Sequence, residues 1–139
     1  MPEPQAQHKI FTLEEANALL PQVQQTLAAL RHHVREVLAQ EAHVDAWELI
    51  SGQAEPQDDV RVVNELALLE QRRTEFQHAC AAFERLGGHL KDLDLGLVDF
   101  YTWMDGELVL LCWQEGEERL RYWHAVEDGY AGRQPIPGT

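Results

Sequence analysis

Cysteine is scarce in this sequence: Cys80 and Cys112 are its only two, and they lack C-x-x-C spacing. With no export signal beside them they read as reduced thiols, which points to the cytoplasm. Long apolar runs are also missing. The longest, Leu108 to Trp113, falls far short of the roughly 20 residues that span a bilayer. The stretch from Met1 to Ile10 is polar and lacks the basic and apolar regions of a signal peptide. Basic residues are few, 11 Lys and Arg against 24 Asp and Glu, for a net charge of −13. That field repels phosphate backbones and anionic lipid, so nucleic-acid and membrane partners are not expected. Arg119, Arg121 and Arg133 could still form a local basic patch. A chain of 139 residues buries about two-thirds of its unfolded surface and needs no cofactor for stability, and none is expected.

What is present is patterned. Thr12-Leu13-Glu14-Glu15 has capping-box spacing and opens a helix. Leu13, Ala16, Leu20, Val23, Leu27, Leu30, Val34 and Val37 then alternate in threes and fours, a heptad seam. This first helical arm covers 11–50, kinked or broken near 20–21, where Pro21 lacks an amide hydrogen. Breakers collect between Ser51 and Gln57, and Asp58 and Asp59 favour a new helix start. The second arm covers 57–87, with a seam of Val62, Leu66, Leu69, Arg73, Phe76, Cys80 and Phe83, and ends at Gly87-Gly88. Arg73 interrupts that seam and is expected to pair with Glu36. Two such arms joined by a short loop run antiparallel.

After Gly96 the period changes to two. Strands are predicted over Leu97–Met104, Glu107–Gln114 and about Arg119–His124, within a meander at 96–124, with a tail at 125–139. Asp105-Gly106 suits a two-residue hairpin turn. That register sets Asp99 opposite Cys112 and Phe100 opposite Leu111. A tight second turn then puts Val98, Phe100, Leu111, Trp113, Tyr122 and His124 on an inner face, and Asp99, Tyr101, Trp103, Cys112, Arg119, Arg121 and Trp123 on the other. The fold expected is α+β, a single domain: a long, coiled-coil-like antiparallel helical hairpin followed by a three-stranded antiparallel β-meander.

Phe11-Thr12-Leu13-Glu14-Glu15-Ala16-Asn17, Lys91-Asp92-Leu93-Asp94-Leu95-Gly96-Leu97-Val98-Asp99-Phe100, Cys112-Trp113, Tyr122-Trp123-His124 and Gly129-Tyr130-Ala131-Gly132-Arg133-Gln134-Pro135 occur in order along the chain. Together they resemble a bacterial family catalogued as domain of unknown function 2203. The resemblance covers nearly the whole chain and implies a small cytoplasmic bacterial protein, with no activity and no catalytic residue to carry over. Tyr101-Thr102 departs from the family, which often has a proline there.

The residues able to do chemistry are few. Asp92, Asp94, His124 and Glu127 form the alternative metal set, at permissive spacing but without a motif such as H-E-x-x-H, so no metal is expected to copurify. Cys112 and His124 lie on opposite faces in this register, which prevents a nucleophile–base contact. The leading ligand site is the mixed sheet face. There an arginine, Arg121 or Arg119, reaches over Cys112 to Asp99, bordered by Trp103 and Trp123, with Arg133 in the tail as a further anion contact. The expected function is a non-enzymatic interaction or small-ligand-binding module. The alternative is a metal- or anion-binding enzyme using acidic residues of 88–99 with His124 and Arg133. A homodimer through the hairpin is expected, since Leu19, Leu38, Trp47 and Val63 flank the seams.

Overall fold

A computed structural model describes residues 8–52 and 59–138. The breaker segment between Gly52 and Asp59, with Pro56, Gln57 and Asp58, lies outside the described residues. Among the described residues two α-helices, a sheet and a 3-10 turn (Tyr130–Gly132) form: α1 (Leu13–Ser51), α2 (Val60–Leu86), β1 (His89–Asp92), β2 (Leu97–Met104), β3 (Glu107–Gln114), β4 (Tyr122–Ala125) and β5 (Gln134–Pro135). The chain divides into two compact units, Ala28–Ala82 and the remainder.

Within the first of these, α1 and α2 form an antiparallel hairpin. Leu30, Val44, Val62 and Leu69 are buried in it. Gln40 Nε2 donates to the Glu65 backbone carbonyl at 3.0 Å. Arg73 pairs with Glu41 at 3.2 Å and not with Glu36, which lies 3.6 Å from His32 on its own helix. At the start of α2, Asp59 Oδ1 accepts from the Arg61 amide at 2.9 Å, and the carboxylate also accepts from Ser51 Oγ. These contacts hold the Asp59 carboxyl down at about 2, Ser51 contributing most.

The other unit holds the opening of α1, the end of α2 and the sheet. The capping box forms as its residues dictate, with Thr12 N–H donating to Glu15 Oε1 at 2.8 Å and Glu15 N–H to Thr12 Oγ1 at 3.1 Å. Pro21 lies inside α1, which continues past it to Ser51, so the broken alternative does not form. Gly87 ends α2 at φ +91°, a conformation that costs any other residue a strained backbone. Its missing side chain also leaves room for Lys9 and Phe11, whose carbons would lie 2.9 Å from a Cβ there.

The three-stranded meander is corrected to a five-stranded antiparallel sheet in sequence order. β1 and β5 are four and two residues long, too short to show a period of two. Pro135 is tolerated in β5 because that strand is an edge. The β2–β3 hairpin keeps the expected register, Asp99 opposite Cys112 and Phe100 opposite Leu111. Its inner face is the core: Val98, Phe100, Val109, Leu111 and Trp113 are buried, and Phe11 meets Phe100 edge-on with ring centroids 5.2 Å apart.

The third strand departs from expectation, because a structured loop and not a tight turn leads into it. Glu117 Oε1 accepts from the Gln114 amide at 2.7 Å, Trp113 Nε1–H donates to the Glu117 carbonyl at 3.0 Å, and the Leu120 amide donates to Asn17 Oδ1 at 2.7 Å. Leu120 is thus buried as a plug in the loop, and the strand begins only at Tyr122. Cys112 consequently faces Tyr122, and Leu110 faces His124. Parity along a strand is strict, so this slip moves Tyr122 and His124 to the outer face and Trp123 to the inner one.

Candidate metal centre

The outer face is where the slip acquires chemical meaning. Asp99 on β2, Cys112 on β3 and His124 on β4 all point to it, are at most 3 % exposed, and hold their ligand atoms within 4.8 Å of one another. The opposite-face argument against a Cys112–His124 neighbourhood is therefore overturned.

Hydrogen bonding orients the imidazole. His124 Nδ1 lies 2.9 Å from the Ala125 carbonyl oxygen, which can only accept, so Nδ1 carries a proton. Nε2 then points at Asp99 Oδ2, 3.0 Å away. A ring nitrogen anchored on backbone carbonyl, with the other turned toward a carboxylate and a sulfur, is how proteins prepare a histidine to ligate a metal. Asp99 Oδ1 is buried with no hydrogen-bond partner among the described residues. A buried carboxylate oxygen left unpaired costs about 1–3 kcal/mol or more, a penalty that a cation in the cluster would remove. Burial, and then the neighbouring Asp99 charge, push the Cys112 thiol up to about 12, so without a cation it stays protonated. A thiol in that state is no nucleophile, and both histidine nitrogens face other partners, so a cysteine-hydrolase pair is not formed.

The segment after β4 covers this face. Tyr130 Oη donates to Gln114 Oε1 at 2.9 Å. Arg133 lies over the rings of Tyr122 and Tyr130, at 4.1 and 4.8 Å from their centroids. Its Nη2 donates to Glu117 at 2.8 Å and to the Cys112 carbonyl at 3.2 Å. Arg133 is thereby committed to holding the wall, and Glu117 raises its already high pKa despite the opposing effect of burial. Between wall and sheet lies a cavity of about 180 Å3, with Asp99, Cys112 and His124 in its lining alongside Leu97, Leu110 and Val126.

The other expected site residues disperse. Arg119 and Arg121 are exposed, and Asp99 pairs with His124 in place of an arginine. Trp103 is 53 % exposed beside Thr102 and Met104, in a different depression, and Trp123 faces Leu111 on the inner side. Of the alternative metal set only His124 reaches the cluster. Asp92 Oδ1 caps the following turn, accepting from the Leu95 amide at 2.9 Å, while Asp94 and Glu127 are exposed. Asp99 and Cys112 are placed together as the hairpin register requires. What was missed is their union with His124, for which the only signal was the parity of β4.

A family model described as Uncharacterized conserved protein (DUF2203) matches residues 9–136. The chain belongs to that family. The match spans every strand and therefore the whole Asp99–Cys112–His124 cluster. Comparison with curated proteins and with solved structures finds no match. No helix among the described residues is long and apolar enough to cross a membrane. The expectation of a purely non-enzymatic module is corrected by the cluster itself, whose buried mixed ligands suit a metal-binding site.

Proposed function

We propose that this protein is a metal-dependent enzyme of the bacterial cytoplasm, with a single transition-metal ion held by Asp99, Cys112 and His124. The observation that carries the reading is the buried cluster itself, whose ligand atoms lie within 4.8 Å of one another, with Asp99 Oδ1 left without a hydrogen-bond partner among the described residues. One carboxylate, one thiolate and one imidazole are a borderline donor set that favours zinc or a neighbouring first-row ion over magnesium or calcium. Three protein ligands beside a cavity fit a catalytic centre better than a structural one, which closes its fourth position with protein. Such an ion supplies Lewis acidity, polarising a carbonyl or lowering the pKa of water.

The chain's own residues have distinct parts in this reading. The Ala125 carbonyl orients His124, Cys112 exchanges its proton for the ion, and Arg133 with Glu117 keeps the wall in place over the cavity. The free Cys112 thiol fits a reducing compartment. Elemental analysis of protein purified without chelator tests the reading. About one zinc, manganese, iron or cobalt per chain in the wild type and none in His124→Ala is expected, and its absence from both, even after incubation with added zinc, contradicts it.

A further inference from the structure

The cavity above the cluster also carries information about what reaches it. At about 180 Å3 it is smaller than the roughly 300–1,000 Å3 of drug-sized sites, and holds about six waters at roughly 30 Å3 each. Leu97, Leu110 and Val126 give it apolar sides, and besides Asp99 of the cluster two charged side chains stand in its lining, Lys91 and Asp128.

Lys91 arrives there through a break in strand pairing. Leu90 is opposite Val98 and Asp92 is opposite Leu97, so Lys91 is an extra residue between them. Such bulges re-aim side chains and are common beside active sites. Lys91 is exposed, and no hydrogen bond or ion pair holds its ammonium among the described residues. It is one of only two lysines in a chain carrying 24 acidic residues. An unpaired cation in an acidic protein, directed by a bulge to the mouth of an apolar cavity, is suited to a single negative charge on a small molecule. Asp128 sets the upper limit on that charge. Its side chain packs against Gly132, where a Cβ would lie 2.8 Å from its own Cβ, and its carboxylate disfavours a second negative charge in the same space.

We infer that the substrate is a small aliphatic monocarboxylate-bearing molecule, its carboxylate held by Lys91 and its carbon chain by Leu97, Leu110 and Val126, with its reacting end at the Asp99–Cys112–His124 floor. This assignment rests on the metal reading above. Away from the ion Lys91 is the one cation in the lining, so a second negative charge on phosphate or a dicarboxylate would lie against Asp128.

Calorimetric titration of the zinc-loaded protein with butyrate, butanol, succinate and inorganic phosphate tests it, in the wild type and in Lys91→Met and Lys91→Arg. Butyrate binding in preference to the other three is expected, weakened about tenfold or more in Lys91→Met and largely restored in Lys91→Arg. Equal butyrate affinity in Lys91→Met, or tighter binding of succinate or phosphate, overturns the assignment and leaves the metal reading intact. Failure to take up zinc overturns the metal reading. The same titrations on metal-free protein then decide the cavity's ligand, since Lys91-dependent butyrate binding there sustains the assignment and its absence removes it.

Discussion

His124 reaches Asp99 across a whole strand, Nε2 to Oδ2 at 3.0 Å, with Cys112 of β3 between them. Strands two apart have backbones about 10 Å from each other, so this contact requires two inward-leaning side chains and a small residue beneath them. Cysteine supplies the small residue and also a sulfur at the meeting point.

The pair is poorly matched without a cation. His124 is committed through Nδ1 to the Ala125 carbonyl and through Nε2 to Asp99 Oδ2, which leaves the buried Asp99 Oδ1 without a hydrogen-bond partner among the described residues. Asp99→Asn removes that buried, incompletely paired carboxylate. The metal-free variant is expected to be more stable than metal-free wild type by about 1–2 kcal/mol in urea unfolding, and to bind metal more weakly. A loss of stability would mean that the pair is structural.

Alkaline behaviour follows from Cys112. Its thiol is raised from the ordinary value of 9.0 to about 12 in the metal-free fold, by burial first and the Asp99 charge second. Between those limits the unfolded chain releases a proton that the native protein keeps, so stability falls as pH rises through the window and is unaffected below it. One proton corresponds to a slope of about 1.4 kcal/mol per pH unit. Cys112→Ala should flatten the profile by that amount in chelator-treated protein, and identical profiles would show that the thiol is not held protonated.

Oligomeric state follows from the helical unit. Leu38, Leu49, Ile50, Val60, Val63 and Leu66 are all exposed on it, more apolar helix surface than a lone hairpin hides. We expect a homodimer through these helices. Light scattering should report twice the chain mass, reverting toward the chain mass in Leu38→Glu/Val63→Glu. A monomer at all concentrations would contradict the expectation.

Much of this molecule is legible in its residues, and the failures have one physical origin. Thr12 and Glu15 announce a capping box that forms, Gly87 ends the second helix, and Asp105-Gly106 sets a hairpin whose full register follows from the turn. Each is a local signal with a local consequence. The route from Gln114 to Tyr122 is different, because Asn17, far away in the chain, holds the Leu120 amide and makes a loop of residues that alternate like a strand. Nothing local marks that contact. One residue of slip carried His124 to the other face, and with it the difference between a dispersed set of acids and a buried three-ligand cluster. β1 and β5 were hidden for a simpler reason, since so few residues bury too little to leave a pattern.

The central claim is that Asp99, Cys112 and His124 ligate one ion together, and cobalt(II) spectroscopy of chelator-treated protein tests it most directly. Titration is expected to reach an end point at one cobalt per chain, with a thiolate-to-metal charge-transfer band that Cys112→Ser abolishes and Cys80→Ser leaves unchanged, and with affinity falling at least tenfold in Asp99→Ala and His124→Ala. A spectrum lacking the thiolate band, or one that persists in Cys112→Ser, would contradict the account.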